Sequence, residues 1–188
     1  MLAYSGHLKN GVLTMCCFSQ PIEHVSSTNI FARMSASGKQ YLVYSMELAA
    51  QDDLAMILPI PAPEASPDDA VRFISLEEYP RFFDDMDSGF APLELSMKAG
   101  PVGAAPVSAP PLVVHDVGAF EASFVPTVAD FNRLDARFRL PKETWSSLPG
   151  YRDFGFAVFK LRRSAGPRTI HPMAFEFPLR DQSALHER

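Results

Sequence analysis

An uninterrupted apolar run, LAMILPI at positions 54–60, constrains the fold more than any other part of the chain. Because it carries no polar side chain, it predicts a strand that is covered by protein on both faces. The run before it, residues 39–48, alternates instead, and its predicted core face consists of Leu42, Tyr44, Met46 and Leu48. Since only a short polar link, AAQDD, separates the two runs, we predict that they form a central antiparallel strand pair.

Further strands are predicted where apolar residues run together or alternate with small or polar ones. These runs fall at residues 12–18, 28–34, 112–115, 119–125, 154–161 and 170–179. The first two runs and the central pair predict an antiparallel meander over residues 12–60. The last two runs predict a hairpin, whose basic turn comprises residues 162–169.

Short helices are predicted between these strands. The Ser-Pro pair at positions 66 and 67 is typical of a helix start, with Ser as N-cap and Pro at the first helical position, and predicts a helix over residues 66–74. Apolar residues at three- and four-residue spacing predict a second helix over residues 76–89, which begins or kinks at Pro80. Two more helices are predicted at residues 127–135 and 141–148. The sequence therefore predicts an α+β fold, a mostly antiparallel sheet with a few short helices on one face.

The length of the chain, 188 residues, fits a single domain. We assign this domain to residues 15–180, with a surface loop at residues 99–111 that is rich in proline and alanine. Residues 1–14 are expected to be a flexible arm or, if Met15 is the natural start, an upstream extension. Residues 181–188 are expected to form a frayed tail.

Charge and hydropathy exclude two classes of partner. The formal net charge is −5 and there is no basic footprint, so we expect no nucleic-acid partner. No segment of the sequence approaches the roughly 20 apolar residues that span a bilayer, so we expect no membrane partner. The adjacent Cys16 and Cys17 offer no disulfide framework, and the N-terminal apolar run has no signal-peptide cleavage site. We therefore expect a soluble cytoplasmic protein.

The cysteine pair is the first candidate for chemistry, because a thiolate is both a nucleophile and a soft metal ligand. Cys16 and Cys17 with His115 and His171 supply the ligand types of a zinc or copper site, but no CxxC, HxxxH or HxH spacing supports one. On the other interpretation, the cysteines are small apolar side chains of a strand, where neighbours point to opposite faces. The histidines then bond to the backbone. We favour this second interpretation and predict no cofactor, with zinc or copper as the alternative.

Two charged clusters are interpreted as solvated surface. Asp84, Asp85 and Asp87 lack the glycine and the terminal glutamate of a calcium loop. Arg162 and Arg163 belong to the predicted basic turn, where they either keep the turn soluble or contact an acidic partner. We favour the interpretation that these arginines keep the turn soluble.

Three stretches together resemble an uncharacterised bacterial family of unknown function. They are Cys16-x-Phe18, the strand pair that ends in Leu58-Pro59-Ile60-Pro61, and the segment AVRFISLEEYPRFF. The resemblance covers residues 15–90, with weaker similarity in HPMAFEFPLR. It implies that relatives continue past that last motif with a further histidine-bearing strand, so that this chain is truncated at its C terminus. It implies no activity and no catalytic residues.

The sequence as a whole predicts a binding domain. We expect a non-enzymatic domain that binds a small ligand or a partner through its sheet, and a homo-oligomer formed through the sheet is one version of this. The alternative is a metal- or thiol-dependent site built from Cys16 or Cys17 with His115 and His171.

Overall fold

Two antiparallel sheets make up most of the described chain. The computed structural model describes residues 16–89, 115–117 and 120–180. The strands in these ranges are β1 (Cys17–Phe18), β2 (His24–Met34), β3 (Lys39–Ala50), β4 (Leu54–Ile60), β5 (Arg72–Ser75), β6 (His115–Val117), β7 (Phe120–Val125), β8 (Gly155–Leu161) and β9 (Ser164–Pro178). The five-stranded sheet has the order β1-β4-β8-β7-β6, and the four-stranded sheet has the order β2-β3-β9-β5. Neighbouring strands in both sheets run antiparallel.

The two sheets pack face to face around one apolar core. The four-stranded sheet contributes Tyr44, Met46 and Leu48 of β3, and the five-stranded sheet contributes Met56 and Leu58 of β4. All five side chains are buried. Alternation in β3 therefore places one set of side chains in the interior of a sandwich and leaves the other set on its outer face.

Aromatic rings join the two sheets at the centre of this core. Phe159 of β8 is fully buried, and its ring centroid lies 5.5 Å from that of Phe120 in β7 of the same sheet. Across the sandwich, its ring lies 5.6 Å from Phe73 of β5 and 5.7 Å from Phe175 of β9. Since these separations suit favourable ring contacts, Phe159 links four strands of the two sheets.

Short helices form a third layer on the outer face of the five-stranded sheet. The described helices are α1 (Phe82–Gly89), α2 (Lys142–Ser146) and the 3₁₀ helices Val128–Arg133, Ala136–Phe138 and Pro149–Tyr151. All except α1 lie in residues 126–154, which we call the helical cover. Its Phe131 and Trp145 pack on Phe156 of β8, with ring centroids 5.2 and 5.0 Å apart. Among the described residues, no helix has the length and apolar character needed to cross a membrane.

Several of the sequence predictions are confirmed. The sheets are antiparallel, and the predicted core face of β3 lies in the core. The run at Leu54–Ile60 is a strand covered on both faces, because Met56 and Leu58 face the other sheet while Ala55 and Ile57 face the helical cover. Helix α1 begins shortly after Pro80. This position is expected, because proline in a helix interior breaks or kinks the helix.

The predicted architecture of one sheet with helices on one face is too simple. The chain forms two stacked sheets and is nearly all-β, with short helices on the outside of the five-stranded sheet. The prediction of a mostly antiparallel fold with a few short helices is therefore confirmed, while the single sheet is not.

The predicted central strand pair is wrong. Strand β3 pairs with β2 and β9, whereas β4 pairs with β1 and β8. Residues 51–53 carry the chain from one sheet to the other, so the two strands face each other across the core. The predicted meander fails for the same reason, and so does the predicted hairpin, because β8 and β9 also belong to different sheets.

The predicted helix over residues 66–74 is also wrong. The Ser66 hydroxyl donates to the Pro63 carbonyl at 2.6 Å instead of capping a helix. Strand β5 occupies the end of this segment and pairs with β9, where the Phe73 ring reaches the core. By contrast, the short helix predicted at residues 127–135 is present as a 3₁₀ helix over Val128–Arg133, and α2 confirms the helix predicted at residues 141–148.

Other predictions fall on parts of the chain outside the described residues. These are the arm at residues 1–14, the loop at residues 99–111, the tail at residues 181–188 and most of the strands predicted at residues 12–18 and 112–115.

Candidate functional site

A row of polar side chains crosses the outer face of the four-stranded sheet, with one residue from each strand. Arg33 of β2 pairs with Tyr41 of β3, Tyr41 pairs with Glu176 of β9, and Glu176 pairs with Arg72 of β5. We call these four residues the charged row. Because Phe175 and Phe177 face the core, alternation directs Glu176 outward.

Glu176 is the best-defined charge in this row. Its side chain is only 8% exposed, and it accepts hydrogen bonds from Lys39 Nζ at 2.8 Å and from an Arg72 guanidinium nitrogen at 2.9 Å. Burial alone would raise the pKa of Glu176, but hydrogen bonds from Arg72, Lys39 and Tyr41 outweigh this effect and lower the pKa to about 2. The carboxylate is therefore ionised at neutral pH.

Positive charge is in excess around Glu176. Lys39 and Arg72 remain 46% and 55% exposed although both donate to the carboxylate. The Tyr41 hydroxyl also donates to Glu176, which raises the pKa of Tyr41. The exposed Arg33 has no ion-pair partner among the residues that the structure describes. Two cations thus contact the carboxylate of Glu176, and a third, Arg33, lies beside Tyr41 two strands from Glu176.

An apolar row lies beside the charged row on the same face. It consists of Phe31, Val43, Ala174 and Ile74, again with one residue from each strand. Val43 and Ala174 are buried, and the Phe82 ring of α1 packs edge-on against Phe31 with centroids 5.6 Å apart. Phe31 and Ile74 stay partly exposed, so the charged row and Lys39 border a half-buried apolar strip on this face.

The two cysteines predicted as site residues lie on opposite sides of the five-stranded sheet. Cys16 packs against the core between the sheets, and Cys17 packs against the cluster under the helical cover. Cys16 Sγ lies 3.7 Å from the Tyr44 hydroxyl oxygen. Burial raises the pKa of Cys16, and burial together with the Cys16 charge raises the pKa of Cys17 to about 11. Both thiols are therefore held in the protonated, weakly nucleophilic form.

The two histidines predicted as site residues lie in different sheets. The backbone of His115 is in β6 and pairs with Ala122, at the opposite edge of the five-stranded sheet from β1. Four strand spacings separate these edges, which corresponds to about 19 Å. His171 of β9 stacks on Phe120 of β7 with ring centroids 4.7 Å apart.

The fold therefore does not bring Cys16, Cys17 and His115 to a common point. Among residues 16–89, 115–117 and 120–180, no group of three or more His, Cys, Asp or Glu side chains is arranged to hold a metal ion. The zinc or copper site stays a prediction, and the positions of its candidate ligands give it no support.

Sequence reasoning missed the charged row. Alternation in the run HPMAFEFP signals that Glu176 points away from the core. Nothing local signals that Lys39 and Arg72, which lie far from Glu176 in sequence, meet it on neighbouring strands. Their meeting depends on β9 lying between β3 and β5.

The architecture of the described residues assigns the protein to one structural class. This class is the antiparallel two-sheet sandwich, here with a helical outer layer. Comparisons of the chain with protein-family models, with curated proteins and with solved structures found no match. The resemblance to an uncharacterised bacterial family accordingly stays a prediction.

Proposed function

We propose that this protein is a non-enzymatic binding domain, and that the charged row with Lys39 binds an acidic segment of a partner protein. The observation that carries the proposal is the excess of positive charge on this face: Lys39 and Arg72 pair with the carboxylate of Glu176, and Arg33 lies beside Tyr41 on the edge strand. The chain as a whole carries a net charge of −5, so this local excess of positive charge is opposite in sign to the rest of the molecule. Such a patch attracts acidic groups and orients them on approach.

Glu176 prepares the surface for binding. A buried carboxylate that accepts from Lys39 and Arg72 fixes the positions of both cationic groups before a partner arrives. Less side-chain freedom is then lost on binding. Since each cation has further donors and an exposed surface, both can bind a partner carboxylate without releasing Glu176.

Arg33 supplies the charge that is free to pair. Its guanidinium lies at the β2 end of the row and contributes to no ion pair within the described chain. An arginine of this kind matches a carboxylate with two parallel hydrogen bonds. We therefore expect Arg33 to contribute most to the affinity for an acidic segment.

Fluorescence anisotropy with a labelled poly-glutamate peptide tests this proposal. The intact protein should bind the peptide saturably, and added salt should weaken the complex because it screens exposed charges. Arg33→Glu should weaken binding about 10-fold or more, which corresponds to about 1.4 kcal/mol. Because Arg33 has no described ion-pair partner, this variant should retain the fold.

The matched control is Arg152→Glu, which makes the same charge change on the helical cover and should leave the affinity unchanged. Equal weakening by the two variants, or no saturable binding, would contradict the proposal. A labelled oligothymidine that bound as tightly as poly-glutamate would contradict an acidic protein partner, because it would point to nucleic acid.

A further inference from the structure

Two adjoining polar depressions lie at the opposite end of β3 from the charged row. The first has a volume of about 380 Å³ and is lined by Gln20, Asp52, Asp53, Arg137 and Arg163. The second, of about 500 Å³, shares Arg163 and includes polar side chains of the neighbouring turns. Ala50 at this end of β3 is nine residues from Tyr41, which corresponds to about 30 Å along a strand. The depressions are therefore separate from the charged row.

Hydrogen bonds between distant parts of the chain hold the walls of these depressions. The backbone N–H of Arg163 donates to Asp53 Oδ1 at 2.9 Å and ties the turn after β8 to the turn after β3. The Ser19 hydroxyl donates to the Arg137 carbonyl at 3.2 Å and ties the segment after β1 to the helical cover. Gln51 Nε2 donates to Glu23 Oε1 at 2.6 Å. The fold thus builds these walls from several linked turns.

Three of the four charged side chains that line the first depression, Asp52, Asp53 and Arg163, form no ion pair within the described chain. The Arg137 guanidinium is paired with Asp135 at 3.0 Å, and one oxygen of Asp53 accepts from the Arg163 backbone. By contrast, neither the Asp52 carboxylate nor the Arg163 guanidinium forms an ion pair with any residue that the structure describes. Both line the same depression, yet they do not neutralise each other.

We propose that these depressions bind a free α-amino acid with a polar side chain. The ligand carboxylate pairs with the Arg163 guanidinium, whose planar donors suit a carboxylate, and the ligand ammonium pairs with Asp52. The second depression receives the side chain, which meets Gln51, Glu23 and Ser164. Volumes in this range suit a small molecule.

Arg162 and Arg163 do not act alike as one solubilising turn. The two arginines are adjacent in sequence, but only Arg163 lines the depressions. Its backbone N–H has a structural role at Asp53, so replacing its side chain leaves that hydrogen bond available. The side chain can therefore be tested for binding without loss of the turn.

Isothermal titration calorimetry with L-glutamine, N-acetyl-L-glutamine and L-glutaminamide tests the proposal on the full chain. The acetylated ligand lacks the ammonium group and the amide lacks the carboxylate, so each should bind at least about 10-fold more weakly than L-glutamine. Arg163→Gln and Asp52→Asn should each weaken binding of L-glutamine by a similar factor. Of the three ligands, L-glutaminamide should show the smallest change in affinity on Arg163→Gln, because it has no carboxylate that could pair with Arg163.

Two control variants should bind L-glutamine as the unaltered protein does. Arg162→Gln changes the adjacent arginine, and Asp69→Asn changes an exposed acid outside both depressions. The proposal is overturned if L-glutamine gives no saturable heat at millimolar concentration. It is also overturned if both derivatives bind as well as L-glutamine, or if the control variants weaken binding as much as Arg163→Gln does.

Discussion

At the scale of single residues, the cysteine pair combines potentially nucleophilic groups with surroundings that suppress their reactivity. Burial and the neighbouring Cys16 raise the pKa of Cys17 from 9.0 to about 11, and burial raises the pKa of Cys16. At pH 8 the thiolate fraction of Cys17 is then about 100-fold lower than that of an ordinary thiol. We expect iodoacetamide to alkylate Cys17 about 100-fold more slowly in the native protein than in the chain unfolded in urea. Mass spectrometry of timed samples measures both rates.

The unfolded chain is the control for this experiment, because it contains the same two thiols without their surroundings. Native labelling as fast as in urea would contradict the interpretation of the cysteines as apolar strand side chains. Elemental analysis provides a second measurement. Zinc or copper at about one ion per chain would contradict the same interpretation and would favour the metal-dependent alternative.

At the scale of elements, Glu176 joins β9 to β3 and β5 through Lys39 and Arg72. Its pKa in the folded protein, about 2, lies below its ordinary value of 4.5. The ionised carboxylate therefore stabilises the fold above about pH 4.5, and this stabilisation is lost as the pH falls toward 2. We expect Glu176→Gln to lower the free energy of unfolding at neutral pH by about 1–2 kcal/mol. The variant should also lose less stability than the unaltered protein between pH 4.5 and 2, as measured by urea unfolding.

The control for this prediction is Glu121→Gln in β7. Glu121 also accepts from a lysine, Lys160, at 2.8 Å, but its side chain is 45% exposed. Exposed ion pairs contribute little to stability, so we expect a change below about 0.5 kcal/mol. Equal effects of the two substitutions, or unchanged stability in Glu176→Gln, would show that the cations around Glu176 add nothing to the fold.

The same elements show how far sequence patterns predict this fold. The alternation at residues 39–48 correctly identifies the core face of β3, and the continuous apolar run correctly identifies β4 as a strand covered on both sides. Alternation of apolar and polar residues predicts which face of a strand is buried, but it does not predict which other strand pairs with it. A short link between two strands suits a hairpin, yet residues 51–53 instead cross between the sheets.

Local signals fail where a distant contact decides the structure. The Ser-Pro pair at positions 66 and 67 is a good helix start, but Phe73 is held by Phe159 and Phe175 of two other strands. This tertiary packing outweighs the local preference and makes β5 a strand. The charged row is hidden for a similar reason, because its residues meet only when β9 lies between β3 and β5.

At the scale of the whole molecule, the helical cover and the two sheets share one set of central strands. Strand β8 places Phe159 between the sheets and Phe156 under the helical cover. Loss of packing on one side of β8 should therefore weaken the other side as well. The chain has a single tryptophan, Trp145, and it lies in the helical cover, so its fluorescence reports on the outer layer while far-ultraviolet circular dichroism reports on the sheets.

We expect urea unfolding followed by these two signals to give coincident transitions, as for one cooperative unit. Phe159→Ala should lower the free energy of unfolding by about 3–5 kcal/mol, because it removes a fully buried ring. It should move both transitions by the same amount, although Trp145 packs on the opposite side of β8. The control is Phe83→Ala in the peripheral α1, where the ring is only partly buried and the expected loss is below about 1.5 kcal/mol. A Trp145 transition that stayed in place while the dichroism transition moved would show that the helical cover unfolds independently, and would contradict a single domain.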